Sequence, residues 1–451
     1  MNPEIPSSLI VSVSGIRGIV GKSLLPATAT TFAAALGTYL GGGRVVVSRD
    51  SRPSGRMLNK AVIAGLTAVG CSVYDIGVAA TPTCGIAVRQ LSAAGAIQIT
   101  ASHNPAPWNG LKMFGNDGAV LSAERGKQVQ RLFERGPLKW ADWSKQGEVH
   151  IPPDLLEDHA RMGCDIVSVA DLQSRHFRVL LDANGGAGGP LGLNLLHHLG
   201  CEVVAQGCNA DGVFMHEAEP IPAHLTDVAP RVKEAECAVG FVLDPDADRL
   251  ALIDENGKCI SEELTLALAV QFRLAESPGP VVINMSSSRV VEDLAMAAGV
   301  LFHRTAVGEA NVVAGMKAMG AVIGGEGNGG VIDPRLGWVR DPFAAMPMIL
   351  QHMQRTKKPL SQLVAELPKY EMLKQKYDID RAILPTALEA IQDQWSDAQI
   401  DTTDGLRLDW KDSWVHIRPS NTEPVVRVIA EAPTRDQAEK LCTEAAKHFN
   451  S

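Results

Sequence analysis

The sequence has few aromatic residues, many turn-forming ones and no excess of positive charge. Only 5% of its 451 residues are aromatic, whereas Gly and Pro number 42 and 26, a composition that favours an α/β chain over a coiled coil or an aromatic stacking platform. Lys and Arg number 42 against 51 Asp and Glu. The formal charge of −9 argues against a general nucleic-acid binder, because phosphate backbones require a basic face. It still allows a local arginine cluster that binds one phosphate.

Long apolar runs and paired cysteine motifs are also absent from the sequence. The longest apolar candidates, Val239–Leu243 and 281–285, end at polar residues, far short of the ~18–20 residues that cross a bilayer. The N-terminus shows no basic start with an apolar core, so a secretory signal is not expected. The eight cysteines form no C-x-x-C pair, which disfavours a zinc ribbon or a dense disulfide framework. We therefore expect a cytoplasmic protein that binds neither nucleic acid nor membranes.

Short β-branched runs alternate with helical apolar spacing along most of the chain. The runs 44–48, 71–76 and 95–100 predict strands, and 57–69 predicts a helix. The same alternation restarts at His176 and at 281, whereas the residues after Pro368 predict three strands and a final helix. The sequence thus predicts three similar mixed α/β domains and a smaller C-terminal α+β domain.

A run of carboxylates, Asp244-Pro-Asp246-Ala-Asp248-Arg249, directly follows one of the strand-like runs. Ligands of α/β sheets bind at strand ends, and side chains at i, i+2 and i+4 of an extended chain point the same way. Three crowded carboxylates need a cation, and oxygen ligands suit Mg²⁺. An EF-hand loop is excluded because Arg249 stands where that loop requires glycine. A magnesium site is therefore the favoured interpretation, and an acidic surface turn is the alternative.

A serine segment, T-A-S-H-N-P at 100–105, follows another strand-like run. In an extended chain the side chains of Ser102 and His103 diverge, which argues against a hydrolase Ser–His pair. Taken alone, Ser102 is a loop residue or a helix N-cap. The N-G pair at 109–110 predicts a turn, and Lys112 is either a positioned proton carrier or a solvated charge.

The glycine-rich segment G-E-G-N-G-G at 325–330 formally matches a dinucleotide fingerprint. That fingerprint must open a helix, yet Pro334 follows and stops one, and Glu326 would repel a pyrophosphate. A carboxylate and an amide on bare backbone suit sugar hydroxyls, so Glu326 and Asn328 are candidate sugar ligands. A tight turn is the alternative interpretation.

A polar loop near the C-terminus, R-P-S-N-T-E-P at 418–424, carries an arginine and three short polar side chains. Arg418 and Arg427 supply two guanidinium groups, and a polar turn exposes backbone N–H groups. These features predict a site for one phosphate dianion, with a chance polar turn as the alternative.

Together the four motifs resemble those of the α-D-phosphohexomutase family, in the family's order and spacing over essentially the whole chain. The resemblance implies four domains around a central cleft. These would be a phosphoserine-loop domain at 1–152, a metal-loop domain at 153–256, a sugar-loop domain at 257–368 and a phosphate-loop domain at 369–451.

The same resemblance implies a role for each candidate residue. Ser102 would carry the phosphoryl group and would bind Mg²⁺ together with the three aspartates. Lys112 would act as general acid or base, and Arg17 would lie near the reacting phosphate. Many members have a histidine where this chain has Gly330, so a proton role of that histidine would pass to Lys112 or His103. The implied substrate contacts are Arg249 beside the phosphoserine, Thr305 and Gly308 in the third domain, Glu326 and Asn328 at the sugar O3 and O4, and Arg418, Ser420, Asn421, Thr422 and Arg427 at the non-reacting phosphate.

The resemblance also implies a reaction. A phosphohexomutase is an isomerase that interconverts a hexose 1-phosphate and 6-phosphate through a phosphoserine and a hexose 1,6-bisphosphate, which is also the activator. The N-G-G sequence at 328–330 of the glycine-rich segment resembles a branch of the family assigned to phosphoglucosamine mutases and broad phosphomannomutases. We therefore expect glucosamine phosphate as the substrate, with mannose or glucose phosphate as the alternative. A phosphatase that hydrolyses a hexose 1-phosphate through a phosphoserine, and a non-catalytic sugar-phosphate-binding protein, are further hypotheses. The expected partner is a small phosphosugar, and the expected assembly is a monomer or homodimer.

Overall fold

The computed structural model describes residues 9–379, 383–419 and 425–449. Within these residues the strands form four sheets that follow one another along the chain. The first three sheets mix parallel and antiparallel strands and carry helices, and the fourth is antiparallel. The prediction of three mixed α/β domains and a smaller α+β domain is confirmed.

The first domain is built on a seven-stranded sheet. Its strands are β1 (Ile10–Ser12), β2 (Gly15–Ile19), β3 (Gly43–Arg49), β4 (Cys71–Val78), β5 (Gly95–Ile99), β6 (Trp108–Gly115) and β7 (Val149–His150). Its helices are α1 (Pro26–Leu40), α2 (Gly55–Ala68), α3 (Thr81–Gln90) and α4 (Ala123–Arg135). The strand order is β1-β2-β6-β5-β3-β4-β7, and the strands from β5 to β7 in this order run parallel.

The turn predicted at Asn109-Gly110 is wrong, because these residues lie inside β6. A Cβ atom at Gly110 would lie 2.5 Å from the carbonyl oxygen of Ile16 and 2.7 Å from that of Thr100. Glycine is therefore required here because the neighbouring backbone approaches so closely. It lies within a strand, although the Asn-Gly dipeptide alone indicates a turn.

The second and third domains have smaller mixed sheets. The second contains β8 (Arg178–Asp182), β9 (Glu202–Gln206), β10 (Val239–Leu243), β11 (Leu250–Asp254) and β12 (Cys259–Ile260), with α5 (Leu156–Asp165), α6 (Val169–Arg175), α7 (Gly189–His198), α8 (Ala229–Glu234) and a 3₁₀ turn at Pro222–His224. The third contains β13 (Val281–Asn284), β14 (Phe302–Thr305), β15 (Ile323–Glu326) and β16 (Gly330–Ile332), with α9 (Glu262–Glu276), α10 (Val290–Ala297), α11 (Glu309–Met319), α12 (Pro342–Thr356) and α13 (Leu360–Glu366).

The fourth domain has an antiparallel sheet in the order β17-β21-β20-β19-β18. Its strands are β17 (Glu371–Asp378), β18 (Gln399–Asp401), β19 (Leu406–Asp409), β20 (Trp414–Pro419) and β21 (Val425–Ala432), and its helices are α14 (Leu384–Gln394) and α15 (Arg435–Ala446), followed by a 3₁₀ turn at Lys447–Phe449. Each of the three strands and the final helix predicted after Pro368 is present, whereas β17, β18 and α14 were missed.

The apolar cores show how the domains are joined. The second and third domains share one continuous core, in which Phe241, Leu266 and Phe343 are fully buried. The first and fourth domains have cores of their own. The predicted boundary at 256/257 falls in the β11–β12 hairpin, and the domain boundaries stay predictions.

Two further observations concern the state of the cysteines and the character of the helices. All eight cysteines are free thiols, and burial raises the pKa of several of them, including Cys84 and Cys201, to about 12. No helix in the described part of the chain combines the length and the apolar character that a membrane crossing requires.

Candidate active site

Ser102 lies in the loop after β5, where it adopts a left-handed backbone conformation with φ of +51°. Its Oγ lies 3.2 Å from Asp244 Oδ2 and 3.2 Å from His103 Nδ1. The expectation that the side chains of Ser102 and His103 diverge is therefore wrong, because it assumed an extended chain. The left-handed residue turns the serine hydroxyl toward both groups.

A buried arginine that the sequence analysis missed supports this loop. Arg52 Nη2 donates to the carbonyl oxygens of Ser102 and Asn104 at 2.8 and 2.5 Å. Its Nη1 pairs with Asp50, which also accepts from Thr100 Oγ1 at 2.7 Å. Asp50 and Arg52 directly follow β3. The rule that ligands bind at strand ends, which pointed to the serine and aspartate loops, could therefore also have identified them.

The three aspartates follow β10, and their carboxylates converge through a turn. A residue with positive φ, Ala247 at +52°, bends the chain, so the extended conformation assumed for this run does not occur. One oxygen from each carboxylate lies within 4.8 Å of the others, and Asp244, Asp246 and Asp248 are fully buried. Asp244 Oδ1 accepts from the backbone N–H groups of Asp248 and Arg249, which closes the turn.

The buried carboxylates fit a divalent cation. Asp246 Oδ1 and Asp248 Oδ1 are buried and have no hydrogen-bond partner. Burial, reinforced by the neighbouring carboxylates of Asp246 and Asp248, raises the pKa of Asp244 well above its usual range. Unpartnered carboxylate oxygens that repel one another are what a hard cation would stabilise, so this cluster could hold a metal ion.

Lys112 extends from β6 into the aspartate cluster. Its Nζ lies 2.8 Å from Asp248 Oδ2 and 3.2 Å from Asp246 Oδ2. Burial disfavours the charge, but the carboxylates of Asp246 and Asp248 outweigh burial and raise the pKa of Lys112. Of the two interpretations left open by the sequence, the structure excludes a solvated charge, because Lys112 is 8% exposed.

The remaining polar groups around the serine loop come from three segments. Arg17 on β2 lies 3.4 Å from Asn104 Oδ1, through Nη1. Arg249 Nη1 donates to Glu219 Oε1 at 3.1 Å, a carboxylate missed in the sequence. Burial, with the positive charges of Arg249 and Arg17, lowers the pKa of His103 to about 2. The imidazole is therefore neutral near pH 7.

The glycine-rich segment forms the hairpin between β15 and β16 and opens no helix, as expected. Glu326 Oε1 accepts from Asn284 Nδ2 at 2.8 Å and from the backbone N–H of Gly308 at 3.1 Å. Asn328 lines the cleft, and its Oδ1 has no hydrogen-bond partner. Thr305 turns its hydroxyl to the carbonyl oxygen of Ala306 (3.1 Å), so its side chain is held by the backbone.

The fourth domain presents a row of cations on neighbouring strands. Arg418 on β20 is paired in register with Arg427 on β21, which is in turn paired with Lys376 on β17. Cations directly opposite one another on a sheet repel, and Arg418 is partly neutralised by Asp404, whose Oδ2 lies 3.3 Å from its Nε. The row could bind an anion. Lys374 and Lys376 were missed, although their period-2 spacing is typical of one strand face. The predicted contacts Ser420, Asn421 and Thr422 lie outside the described residues.

These segments line one cleft of about 720 Å³. Its lining includes Arg17, His103, Arg249, Glu326, Asn328, Arg418 and Arg427, together with Glu219, Glu263, Lys374 and Lys376. His103 and Asn104 of the Ser102 loop line this cleft, as does the cation row of the fourth domain. Ser102, Lys112 and the three aspartates are buried and are not among the lining residues. The structure thus brings together segments from all four domains.

Comparisons with known proteins agree with this architecture. The sequence matches the family descriptions "Phosphoglucomutase/phosphomannomutase, alpha/beta/alpha domain I", "domain II" and "domain III" over residues 9–139, 157–257 and 261–370, and the family's "C-terminal domain" over 372–448. The chain belongs to the phosphoglucomutase/phosphomannomutase family. The prediction of a phosphohexomutase, an isomerase, is confirmed.

Two curated relatives and one solved structure illustrate the similarity. A "Probable phosphoglucosamine mutase" of Methanopyrus kandleri is 36% identical over 96% of this chain and 95% of its own. A "Phosphoglucomutase/phosphomannomutase" of Thermococcus kodakarensis is 35% identical over 96% of this chain and 98% of its own. The crystal structure of a phosphoglucomutase/phosphomannomutase family protein from Burkholderia thailandensis superposes with a TM-score of 0.86 at 27% identity, covering 97% of this chain and 96% of that one.

Proposed function

We propose that this phosphohexomutase interconverts glucosamine 6-phosphate and glucosamine 1-phosphate through a phosphorylated Ser102. The observation that carries the proposal is the 3.2 Å contact between Ser102 Oγ and Asp244 Oδ2, inside a buried carboxylate cluster. A cation row in the same cleft would hold the phosphate that does not react. The choice of sugar is supported by the names of relatives such as that of Methanopyrus kandleri.

The reaction divides into two phosphoryl transfers. Phospho-Ser102 would give its phosphoryl group to the free hydroxyl of the hexose monophosphate, breaking the P–Oγ bond and forming a new P–O bond on the sugar. The resulting 1,6-bisphosphate would turn over in the cleft and return its other phosphate to Ser102. The net proton movement in the first transfer is from the sugar hydroxyl to Ser102 Oγ. Lys112 is the proposed carrier: the aspartates keep its amine protonated, so it would give a proton to the leaving Ser102 Oγ and take the proton of the sugar hydroxyl in return. His103, whose pKa is lowered to about 2, holds no proton to give near pH 7.

The remaining candidates would bind and orient the substrate. Asp244, Asp246 and Asp248, with the phosphorylated Ser102, would hold Mg²⁺, which would neutralise charge on the transferring group. Glu326 and Asn328 would accept and donate hydrogen bonds to sugar hydroxyls. Arg17 and Arg249 would surround the reacting end, and Thr305 and Gly308 would contact the substrate from the third-domain loop beside Glu326. The distal phosphate would be bound by Arg418, Ser420, Asn421, Thr422 and Arg427.

Two measurements test this function. Glucosamine 1,6-bisphosphate labelled in its phosphates should transfer label to the wild-type chain and to Ser144→Ala, whose exposed serine lies in the same domain, but not to Ser102→Ala. Mutase activity should likewise be present in the wild type and in Ser144→Ala and absent in Ser102→Ala. Full mutase activity in Ser102→Ala would overturn the phosphoserine scheme.

The sugar is tested separately by kcat/KM on the 1-phosphates of glucosamine, glucose and mannose, each with its bisphosphate. We expect the highest value with glucosamine. Equal values, or a higher value with mannose or glucose, would replace the proposal by the alternative activity of a broad phosphoglucomutase/phosphomannomutase, which is the name of the Thermococcus kodakarensis relative.

A further inference from the structure

Arg340 is a buried cation that joins the aspartate cluster to the glycine-rich hairpin. Its Nη2 donates to Asp248 Oδ2 at 2.6 Å, and its Nη1 donates to Glu326 Oε2 at 2.9 Å. The side chain is only 9% exposed and is not among the residues that line the cleft. One guanidinium therefore contacts a proposed metal ligand and a proposed sugar ligand at the same time.

The hairpin provides room for this side chain at Gly330. A Cβ atom at Gly330 would lie 2.3 Å from Arg340 Cδ and 2.9 Å from Arg340 Cγ, distances that real Cβ contacts do not reach. Any side chain at position 330 would require Arg340 to move.

The charges around Arg340 explain why it stays in place. Besides its two donated hydrogen bonds, its Nε lies 3.4 Å from Glu309 Oε2, and its backbone N–H donates to Glu309 Oε1 at 2.9 Å. Burial opposes the charge of the guanidinium, but Asp248, Glu309 and Glu326 outweigh it and raise the pKa of Arg340. The guanidinium is thus permanently protonated and anchored to the start of α11.

Each of the two bridged carboxylates has one oxygen committed to Arg340. Asp248 Oδ2 accepts from both Arg340 and Lys112, whereas Asp248 Oδ1 has no hydrogen-bond partner. Glu326 Oε2 accepts from Arg340, whereas Oε1 accepts from Asn284 and Gly308. A change of charge or position at one carboxylate therefore alters how strongly the guanidinium holds the other.

We propose that Arg340 is a positioning residue that energetically couples the metal site at Asp248 to the sugar site at Glu326. The proposal rests on the proposed function for the identity of the two sites. It predicts that a change at Glu326 alters the Mg²⁺ affinity of the chain, and that this effect depends on Arg340. A residue that serves only to stabilise the fold would not produce such a dependence.

The test is a double-mutant cycle read by Mg²⁺ binding to the substrate-free protein, for example by calorimetric titration. In the wild-type background, Glu326→Gln leaves Arg340 with fewer carboxylate partners, so the guanidinium competes more strongly with the cation for Asp248. We expect the dissociation constant for Mg²⁺ to rise at least about fivefold. In the Arg340→Met background, we expect Glu326→Gln to change it less than twofold.

Further variants keep the proposal falsifiable if Arg340→Met does not fold. Arg340→Lys retains the charge but has no planar fork, so it cannot hold both carboxylates and should also remove the dependence. Gly330→Ala should also reduce the effect of Glu326→Gln on Mg²⁺ affinity, because the added Cβ atom would displace Arg340. The matched control is Arg335→Met, a partly exposed arginine that pairs with Asp333, and the full effect of Glu326→Gln should persist in it.

An equal effect of Glu326→Gln in the wild-type and Arg340 backgrounds would overturn the coupling. That result would leave the proposed function intact, because mutase turnover and labelling of Ser102 are measured independently of Mg²⁺ affinity.

Discussion

The guanidinium of Arg52 holds the backbone of Ser102 in its left-handed conformation. Arg52 Nη2 donates to the Ser102 carbonyl oxygen at 2.8 Å, and the φ angle of Ser102 is +51°. Arg52 is itself fixed by Asp50, which is fully buried, and by the ring of Phe214, whose centroid lies 5.1 Å from Arg52 Cζ. A strained serine thus persists because a buried ion pair from another loop supports it.

The first prediction concerns this ion pair. Arg52→Ala leaves Asp50 buried without its cation, which costs on the order of 3–5 kcal/mol. We expect the first thermal unfolding midpoint to fall by about 10 °C. Arg49→Ala is the matched control, because Arg49 is only partly buried and donates to the Asp50 backbone carbonyl (3.3 Å), and its midpoint should change far less. Equal losses in the two variants would contradict the role given to Arg52.

The second prediction concerns metal removal. The three crowded carboxylates repel one another, so a bound cation should stabilise the fold by about 2.7 kcal/mol at 100 times its dissociation constant. We expect Mg²⁺ to raise the thermal midpoint by several degrees and chelation to reverse the rise. Asp246→Asn should abolish the shift, whereas Asp333→Asn, a change at a buried aspartate paired with Arg335, should keep it. A shift of equal size in Asp246→Asn would exclude this cluster as the metal site.

Regular elements were predictable because their signal is local. The strand predicted at 71–76 lies within β4, and the one predicted at 44–48 lies within β3. Apolar periodicity and β-branched runs arise from burial against the layers of the same domain, so a short window of sequence contains the information. The strand-end rule then led to the serine and aspartate loops, which the structure brings into contact.

The missed features depend on contacts between distant segments. Arg340 contacts Asp248 across 92 positions of sequence, and Arg52 contacts Ser102 across 50. The left-handed conformation of Ser102 is likewise supported by the distant Arg52 side chain, and the strand at Gly110 is imposed by neighbouring backbone. Such features require the assembled sheets, and the functional roles of the site residues stay predictions.

The third prediction concerns pH and the junction between the third and fourth domains. Glu263 accepts from the backbone N–H of Ser288 at 2.9 Å and pairs with Lys374 of the fourth domain at 2.9 Å. Burial raises the pKa of Glu263 from 4.5 to about 7, with Lys374 opposing the shift. Between pH 4.5 and pH 7 this carboxyl is ionised in the unfolded chain but still protonated in the folded chain. The free energy of unfolding should therefore fall as pH rises from 4.5 to 7.

The measurement compares thermal midpoints of the wild type and Glu263→Gln between pH 5 and pH 8. Gln cannot ionise, so the wild-type midpoint should fall relative to that of the variant as pH rises. Glu262→Gln is the matched control, because Glu262 also pairs with Lys374 but is more exposed, and it should retain the wild-type pH dependence. Parallel curves for wild type and Glu263→Gln would show that Glu263 does not titrate in this range.

The fourth prediction concerns the cation row in the fourth domain. Arg427 lies between Lys376 and Arg418 in the sheet, so an anion bound to this face would contact its guanidinium. A hydrogen bond to a charged group contributes about 1.5–3 kcal/mol, which corresponds to a roughly 10- to 100-fold weaker binding of the phosphosugar in Arg427→Met. We expect the weaker binding to appear as a rise in KM, with a smaller change in kcat, because the distal phosphate does not react. Arg435→Met removes the same charge from the exposed start of α15 and should leave KM unchanged. A similar rise in KM for both variants would mean that only the net charge of the domain matters, and it would contradict a specific phosphate site on this face.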